Sequence, residues 1–232
     1  MRGIDVPKVR ELSLFSGMSD EHFDEMLQMA YLQRFPPQVQ LITEGDPADF
    51  LHIIVDGTVE LFGTSNGRET TMAILRPIST FILAAVLKDA VYLMSARTLD
   101  RAQVLMIPAE NVRAAMESDP AFSRAMVLEL ASGFRSLVKT LKEQKLRTAV
   151  ERLANYLLRA HEQRGGNGEL ELTEDKRTLA ALMGMTPENL SRAFGTLKEY
   201  GVEVHGSHIK LNNIEDLTKL AKPTPLIDHR SI

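Results

Sequence analysis

The sequence predicts an α+β chain in three parts: a compact antiparallel barrel or sandwich of about eight short strands, one long helix, and a helix-turn-helix followed by a β-hairpin. Three observations predict it. Between Phe35 and Pro108, short apolar runs alternate with turn signals. From Phe122 to Leu141, apolar residues recur every three or four positions. Between Thr173 and Leu197, two amphipathic stretches meet across Gly184.

The chain has 232 residues, 44% of them hydrophobic and 25% charged. That is enough apolar material for a buried core and argues against disorder. The absence of cysteine excludes disulfides, thiolate zinc sites, cysteine nucleophiles and cysteine-ligated iron–sulfur clusters. The longest apolar run, Phe81 to Leu87, is seven residues, far short of the roughly 18 that a membrane helix needs. The N-terminal stretch has no apolar segment of signal-peptide length, so a soluble, cytoplasmic chain is expected. Net charge is −4: −7 over residues 1–123, +4 over 124–148 and −1 over 149–232. A basic helical stretch is ordinarily a solvated face, so charge permits a nucleic-acid partner without arguing for one.

Residues 7–32 read mostly as helix, with Ser19 or Asp20 as N-cap and Phe23, Met26, Leu27 and Ala30 on one face. Strands follow from Phe35. Leu51 to Val55, Thr58 to Phe62, the stretch through Thr70, Met72 and Ile74, and Gln103 to Ile107 fit them. Turn signals stand at Glu44-Gly45-Asp46-Pro47, Asp56-Gly57 and Asn66-Gly67. The last two predict hairpins, because both central residues of a type I′ turn need positive φ. Asp119-Pro120 then opens the long helix, with Ser118 or Asp119 as cap. Its seam runs through Phe122, Met126, Leu130, Phe134, Leu137 and Leu141. This spacing suits a two-helix interface, and Met126, Leu130, Phe134, Leu137 and Leu141 are the expected dimer contacts. Packing of the seam on the chain's own barrel is the alternative. In the next helix Val150, Leu153, Ala154, Leu157, Leu158 and His161 share a face, and the loop Arg164 to Gly168 stops it. The expected division is 1–118, 119–147 and 148–232.

Lys176 to Met183 form the first helix of the helix-turn-helix. Gly184 supplies the positive φ of the turn, and Ala180 lets the helices cross closely. Thr186 is the N-cap and Pro187 the first residue of the second helix, which runs to about Glu199. Its polar face carries Thr186, Glu188, Asn189, Ser191 and Arg192. Such groups suit base edges: arginine bridges guanine, a carboxylate accepts from cytosine, and serine adapts. A surface ion pair between Glu188 and Arg192 is the plain alternative, and both can hold. Gly201 to Val204 and His208 to Leu211, joined by a turn, read as a wing, with His205 and His208 as wing polar residues rather than metal ligands.

With barrel, long helix and winged helix-turn-helix in this order, the chain resembles the Crp–Fnr family of bacterial transcription regulators over roughly residues 10–215. The most specific piece is Gly184-Met185-Thr186-Pro187-Glu188-Asn189-Leu190-Ser191-Arg192, whose Glu-x-x-Ser-Arg pattern resembles the Fnr and Dnr branches. The resemblance implies a cyclic-nucleotide-binding-like β-roll, a dimerisation helix and base contacts from Glu188, Ser191 and Arg192 to TTGAT-N4-ATCAA palindromes. It further implies double-stranded DNA, a second copy of the chain and RNA polymerase as partners, and structural roles for Gly45 and Gly57.

The sensor half departs from the family's phosphate cassette. Leu83-Ala84 stand where Gly-Glu would be, and Met94-Ser95-Ala96 where Arg-Ser-Ala would be. A phosphate buried without its cation or donors loses several kcal/mol, so cAMP is not expected to bind in the usual way. The apolar cassette Phe81 to Leu87 resembles the haem-linked nitric-oxide sensors, which makes haem a candidate cofactor and a ligand-free packed core its alternative. Phe81, Leu83, Tyr92 and Leu93 are the expected effector-pocket residues. Neither His22 nor His52 stands out as an axial ligand. No glycine-rich phosphate loop, His-Glu-x-x-His or nucleophile elbow is present, so no catalytic activity is expected. A cyclic-nucleotide-binding module whose tail does not bind DNA is the alternative function, and it would require Arg192 to face the interior.

Overall fold

The computed structural model describes residues 6–229; the ends of the expected first and last segments lie outside them. The described chain forms two compact units, divided between Gly133 and Phe134.

The first unit contains α1 (Val6–Arg10), α2 (Asp20–Gln28), β1 (Tyr31–Phe35), β2 (Gln40–Ile42), β3 (Phe50–Asp56), β4 (Val59–Ser65), β5 (Arg68–Leu75) and β6 (Ser79–Phe81). Next come α3 (Leu83–Lys88), β7 (Ser95–Thr98), β8 (Ala102–Pro108), α4 (Ala109–Ser118) and the first half of α5 (Pro120–Leu146). Its eight strands make two antiparallel sheets, ordered β1-β8-β3-β6 and β2-β7-β4-β5. Leu51, Ile53 and Ile54 of β3 and Val104, Leu105 and Ile107 of β8 are fully buried. Strands apolar on both faces belong inside a unit covered by helices, and α4 packs on both β3 and β8. On β4 the alternation separates two environments. Val59 and Leu61 enter the core. Glu60 accepts from Arg97 Nε at 2.7 Å and from the Thr71 hydroxyl at 2.5 Å. The same guanidinium reaches Glu69 at 2.8 Å and lies 4.3 Å over the Phe62 ring.

Several expectations need correction here. Helix α2 ends at Gln28, and Tyr31 and Leu32 already belong to β1, paired with Met106 and Leu105. Only the partner strand reveals this, because the segment has little apolar alternation of its own. Asn66 and Gly67 both have positive φ, 50° and 72°, and close the β4–β5 hairpin as expected. Asp56-Gly57 does not close a hairpin, because β3 and β4 lie in different sheets and only Gly57 has positive φ. Gly57 is required by close approach: a Cβ there would lie 2.4 Å from the Arg101 carbonyl oxygen. Helices α3 and α4 had no reading of their own in the sequence. Phe122 and Met126 are both 0% exposed, packed in this unit's core. Met126 is therefore not a dimer contact. The exposed heptad positions of α5 are Val127, Phe134, Leu137 and Leu141, with Leu130 partly buried.

The second unit contains the rest of α5, then α6 (Ala149–Gln163), β9 (Glu169–Glu171), α7 (Lys176–Leu182), α8 (Pro187–Leu197), β10 (Val202–His205), β11 (His208–Leu211), α9 (Ile214–Ala221) and α10 (Pro225–Asp228). Its core centres on Leu153, Leu157, Leu179, Leu190, Leu197 and Leu217, none more than 1% exposed. The wing is a three-stranded sheet, β10-β11-β9. Strand β9 escaped the sequence reading because it is three residues long with one buried side chain, Leu170. Helices α9 and α10 also had no reading.

Asp119 closes the start of α5. Its side chain accepts from the N–H groups of Ala121 and Phe122 at 2.9 and 3.0 Å, and from the Ser19 N–H at 3.0 Å. His22 Nδ1 lies 3.1 Å from the same carboxylate, so His22, which has no visible partner in sequence, has one in the fold. The backbone N–H of Phe122, followed by that of Ser19, the His22 ring and the N–H of Ala121, holds the Asp119 carboxyl far below the usual carboxylate range despite its burial. A depressed folded-state pKa contributes stability above the unfolded value, lost as pH falls through the folded one. Asp119→Asn should therefore be less stable than the parent chain at pH 7, with the gap shrinking below about pH 4. Urea unfolding at pH 7 and pH 3 measures this, and a gap of constant size would contradict it.

Candidate nucleic-acid interface

Helix α7 begins at Asp175, whose side chain accepts from the Thr178 N–H at 2.8 Å. It ends at Met183, where Gly184 takes φ +61°. A Cβ on Gly184 would fall 2.3 Å from Gln144 Oε1, so α5 covers the turn. Thr186 caps α8 by accepting from the Asn189 N–H at 3.3 Å, and Pro187 occupies the first turn. Leu190, Ala193, Phe194 and Leu197 then bury one side of α8. Ala180 is fully buried where α7 and α8 pack.

This packing leaves the opposite side of α8 to solvent. Glu188, Asn189, Ser191 and Arg192 are exposed, and so is the cap, Thr186. Gly195 and Thr196 are exposed as well and extend the face by one turn, a contribution the sequence reading missed. Nothing lies within 4 Å of a Cβ built on Gly195. The spacing of Gly195 and Thr196 from Ser191 and Arg192 was the available signal. Glu188 is held below its usual pKa by its own backbone N–H first, then by the Thr186 hydroxyl, with the Arg192 charge the smallest favourable contribution. The carboxylate is stabilised chiefly by groups at the helix start, where anions are favoured.

Two buried side chains of α6 tie it to its neighbours, Arg152 to the turn of this motif and Asn155 to α9. Arg152, 9% exposed, donates from Nε to the Met183 carbonyl and from Nη1 to the Arg147 carbonyl, each at 2.8 Å. Asn155, 1% exposed, donates to the carbonyls of Glu151 and Ala221 at 2.8 and 2.6 Å. Sequence gave no hint of Arg152 beyond a charge beside the apolar face of α6. His205 and His208 lie exposed on the wing, and no group of residues suited to a metal ion occurs among the described residues.

In the first unit, Phe81, Leu83 and Tyr92 are 3%, 5% and 5% exposed and lie within its core. Phe81 and Tyr92 meet around His52: the imidazole stacks on Phe81 with centroids 5.1 Å apart and meets Tyr92 edge-on at 6.4 Å. Leu93 is 77% exposed and does not join them, a correction to the expected pocket. Burial pushes the His52 pKa down to about 4, against a raising hydrogen bond with the Phe50 backbone, so the ring is neutral at pH 7. His52 is 3% exposed, with Phe81 on its face, Tyr92 at its edge and a hydrogen bond to the Phe50 backbone, while His22 Nδ1 faces Asp119.

A capped helix crossing a second at a glycine turn, beside a three-stranded wing, defines a winged helix-turn-helix DNA-binding protein. Comparison with known proteins agrees. A cyclic nucleotide-binding domain matches residues 32–119, and a Crp-like helix-turn-helix domain matches residues 151–220. The Cyclic AMP receptor protein of Thermus thermophilus is 30% identical over 192 residues, covering 82% of this chain and 87% of the relative. A solved regulatory protein of Silicibacter pomeroyi, described as cAMP-binding, is 27% identical with TM-score 0.59, covering 94% of this chain and 100% of that one. FixK2 from Bradyrhizobium japonicum shares the fold at TM-score 0.70 and 22% identity, covering 84% of this chain and 98% of that one. The chain belongs to the Crp/Fnr family of transcription regulators: it is a DNA-binding regulator and not an enzyme. No helix among the described residues is long and apolar enough to cross a membrane.

The cap geometry carries a stability test. Thr186→Ala should cost about 1 kcal/mol through loss of the helix N-cap, and Thr186→Ser should cost much less. Thermal unfolding of both variants measures this, and equal losses would show that the hydroxyl does not act as the cap.

Proposed function

We propose that this protein is a homodimeric regulator that pairs through α5 and reads TTGAT-N4-ATCAA-like palindromes with α8. The carrying observation is the exposed face of Glu188, Ser191 and Arg192 on a helix whose cap and buried side are fixed by the fold. Arg192 pairs with the guanine, Glu188 accepts from cytosine, and Thr186 and Asn189 approach the flanking backbone. The exposure of Arg192 counts against the reading in which the C-terminal part does not bind DNA. For pairing, the support is the apolar residues left in solvent on α5. Phe134, Leu137 and Leu141 are 68%, 70% and 58% exposed, a cost that a second copy removes. Residues 1–118 then serve sensing, 119–147 pairing and 148–232 DNA recognition, with RNA polymerase as the downstream partner.

The β-roll carries this family's cyclic-nucleotide-binding fold with a different interior, and our reading is that cAMP is not its effector. Leu83 is packed in the core at one phosphate-cassette position, and Met94 replaces the cation at another. Arg97 is committed to Glu60 and Glu69. A phosphate there meets no free guanidinium.

Arg192→Ala should weaken binding to the palindrome by about 1–3 kcal/mol and relax the preference for guanine in TTGAT. Fluorescence anisotropy with the palindrome and with guanine-substituted duplexes tests this; wild-type affinity and preference in the variant would remove the assigned role. The double variant Phe134→Glu with Leu137→Glu puts like charges on the seam and should sediment as a monomer. A dimer of normal affinity would refute pairing through α5.

A further inference from the structure

The joint between α5 and α6 consists of two non-helical residues, Arg147 and Thr148. It is held by charges from four segments. Asp228, in α10 near the end of the described chain, accepts from Arg147 Nη1 and Nη2 at 2.8 and 2.5 Å and from Arg159 Nη1 at 2.7 Å. Glu143 of α5 lies 3.4 Å from Arg147 and 3.1 Å from Arg159. The side chains of Arg147, Asp228 and Glu143 are only 6%, 13% and 15% exposed. The Thr224 N–H donates to Asp228 Oδ2 at 2.7 Å, and Lys139 Nζ of α5 donates to the His229 carbonyl at 2.6 Å. The C-terminal segment therefore lies strapped across the joint, with Asp228 as the group that α5, the joint and α6 share.

The rest of the unit is packed on α6. Helix α8 packs on α6, and Arg152 ties the helix-turn-helix turn to the joint through the Met183 and Arg147 carbonyls. The angle between α5 and α6, together with the contact of Gln144 on the Gly184 turn, then relates the exposed seam to the exposed face of α8. We propose that Asp228 is a positioning residue for DNA recognition, a clasp that fixes this angle and so sets the half-site spacing that the paired chains accept. The inference rests on the proposed pairing through α5 and reading by α8. A two-toothed guanidinium–carboxylate contact fixes orientation as well as distance, which a single ammonium or hydroxyl contact does not. Burial raises the Asp228 pKa, but the hydrogen bonds from Arg147 and Thr224 outweigh it and keep the carboxyl below its usual range. The clasp is therefore charged at neutral pH.

The test uses the full chain and its Asp228→Ala, Asp228→Glu and Arg159→Gln variants. Binding is measured by anisotropy to duplexes carrying TTGAT and ATCAA separated by four, five or six base pairs, and to a duplex with one half-site. Sedimentation and thermal unfolding run alongside. The parent chain should prefer the four-base spacer by about tenfold or more, since both recognition helices engage only there. Asp228→Ala should reduce that preference by about threefold or more while the dimer and single half-site affinity persist. Asp228→Glu should restore most of it. A folded, dimeric Asp228→Ala with the parental spacer preference would overturn the clasp. If Asp228→Ala does not fold, Arg159→Gln, which removes a more exposed partner, is read by the same criteria. A parent chain that binds none of the duplexes would overturn the DNA reading itself, which separates the two failures.

Discussion

A helix leaves four N–H groups unsatisfied at its start and four carbonyls at its end, and the structure depends on how α5 resolves this. At its start, Asp119 is buried to 3% exposure and answers the N–H groups of Ala121 and Phe122 while binding the start of α2 through Ser19. Just beyond its end, the Arg147 carbonyl is answered by Arg152, whose other nitrogen holds the turn before α8. In each unit a buried charge converts a helix terminus into a junction between elements. Apolar packing could supply comparable stability, but it would not fix direction as a charged hydrogen bond does.

The charged cluster around Arg147 follows the same logic at higher stakes. Partly burying these charges gains little net stability, while removing one partner leaves another uncompensated. Such a cluster favours one geometry over its neighbours more than it favours the folded chain over the unfolded. The wing and α9 show the contrasting case. Apart from the Asn155 hydrogen bond to Ala221, they are held by apolar contacts such as Ile209 and Leu217 and by exposed ion pairs such as Lys219 with Glu215, which contribute little at the surface.

The β-roll carries the family's fold around a densely packed interior. Its two sheets lie in the segment that matches a cyclic nucleotide-binding domain, and Phe81, Leu83 and Val86 are part of its core. His52 extends this: a neutral imidazole stacked within an aromatic group is a packing element. A fold does not by itself set the chemistry of a ligand site, because the site residues are few and the core that surrounds them is many.

The sequence alone determined whatever depends on local backbone preference and on period. Asn66-Gly67 announced a hairpin, Thr186-Pro187 announced the start of α8, and the spacing of Leu190, Ala193 and Leu197 determined which face of α8 stays in water. Tertiary structure decided whatever depends on a partner distant in the chain. Tyr31 is a strand because Met106 pairs with it, and Gly57 is needed because Arg101 lies against it. Met126 faces the core although it shares the spacing of an exposed seam, since a helical period gives a face but not which neighbour covers it. Nothing in the sequence singles out Arg152 or Asp228. Their roles arise from carbonyls and guanidiniums up to 81 residues away in sequence, and one-dimensional patterns carry no record of such pairings.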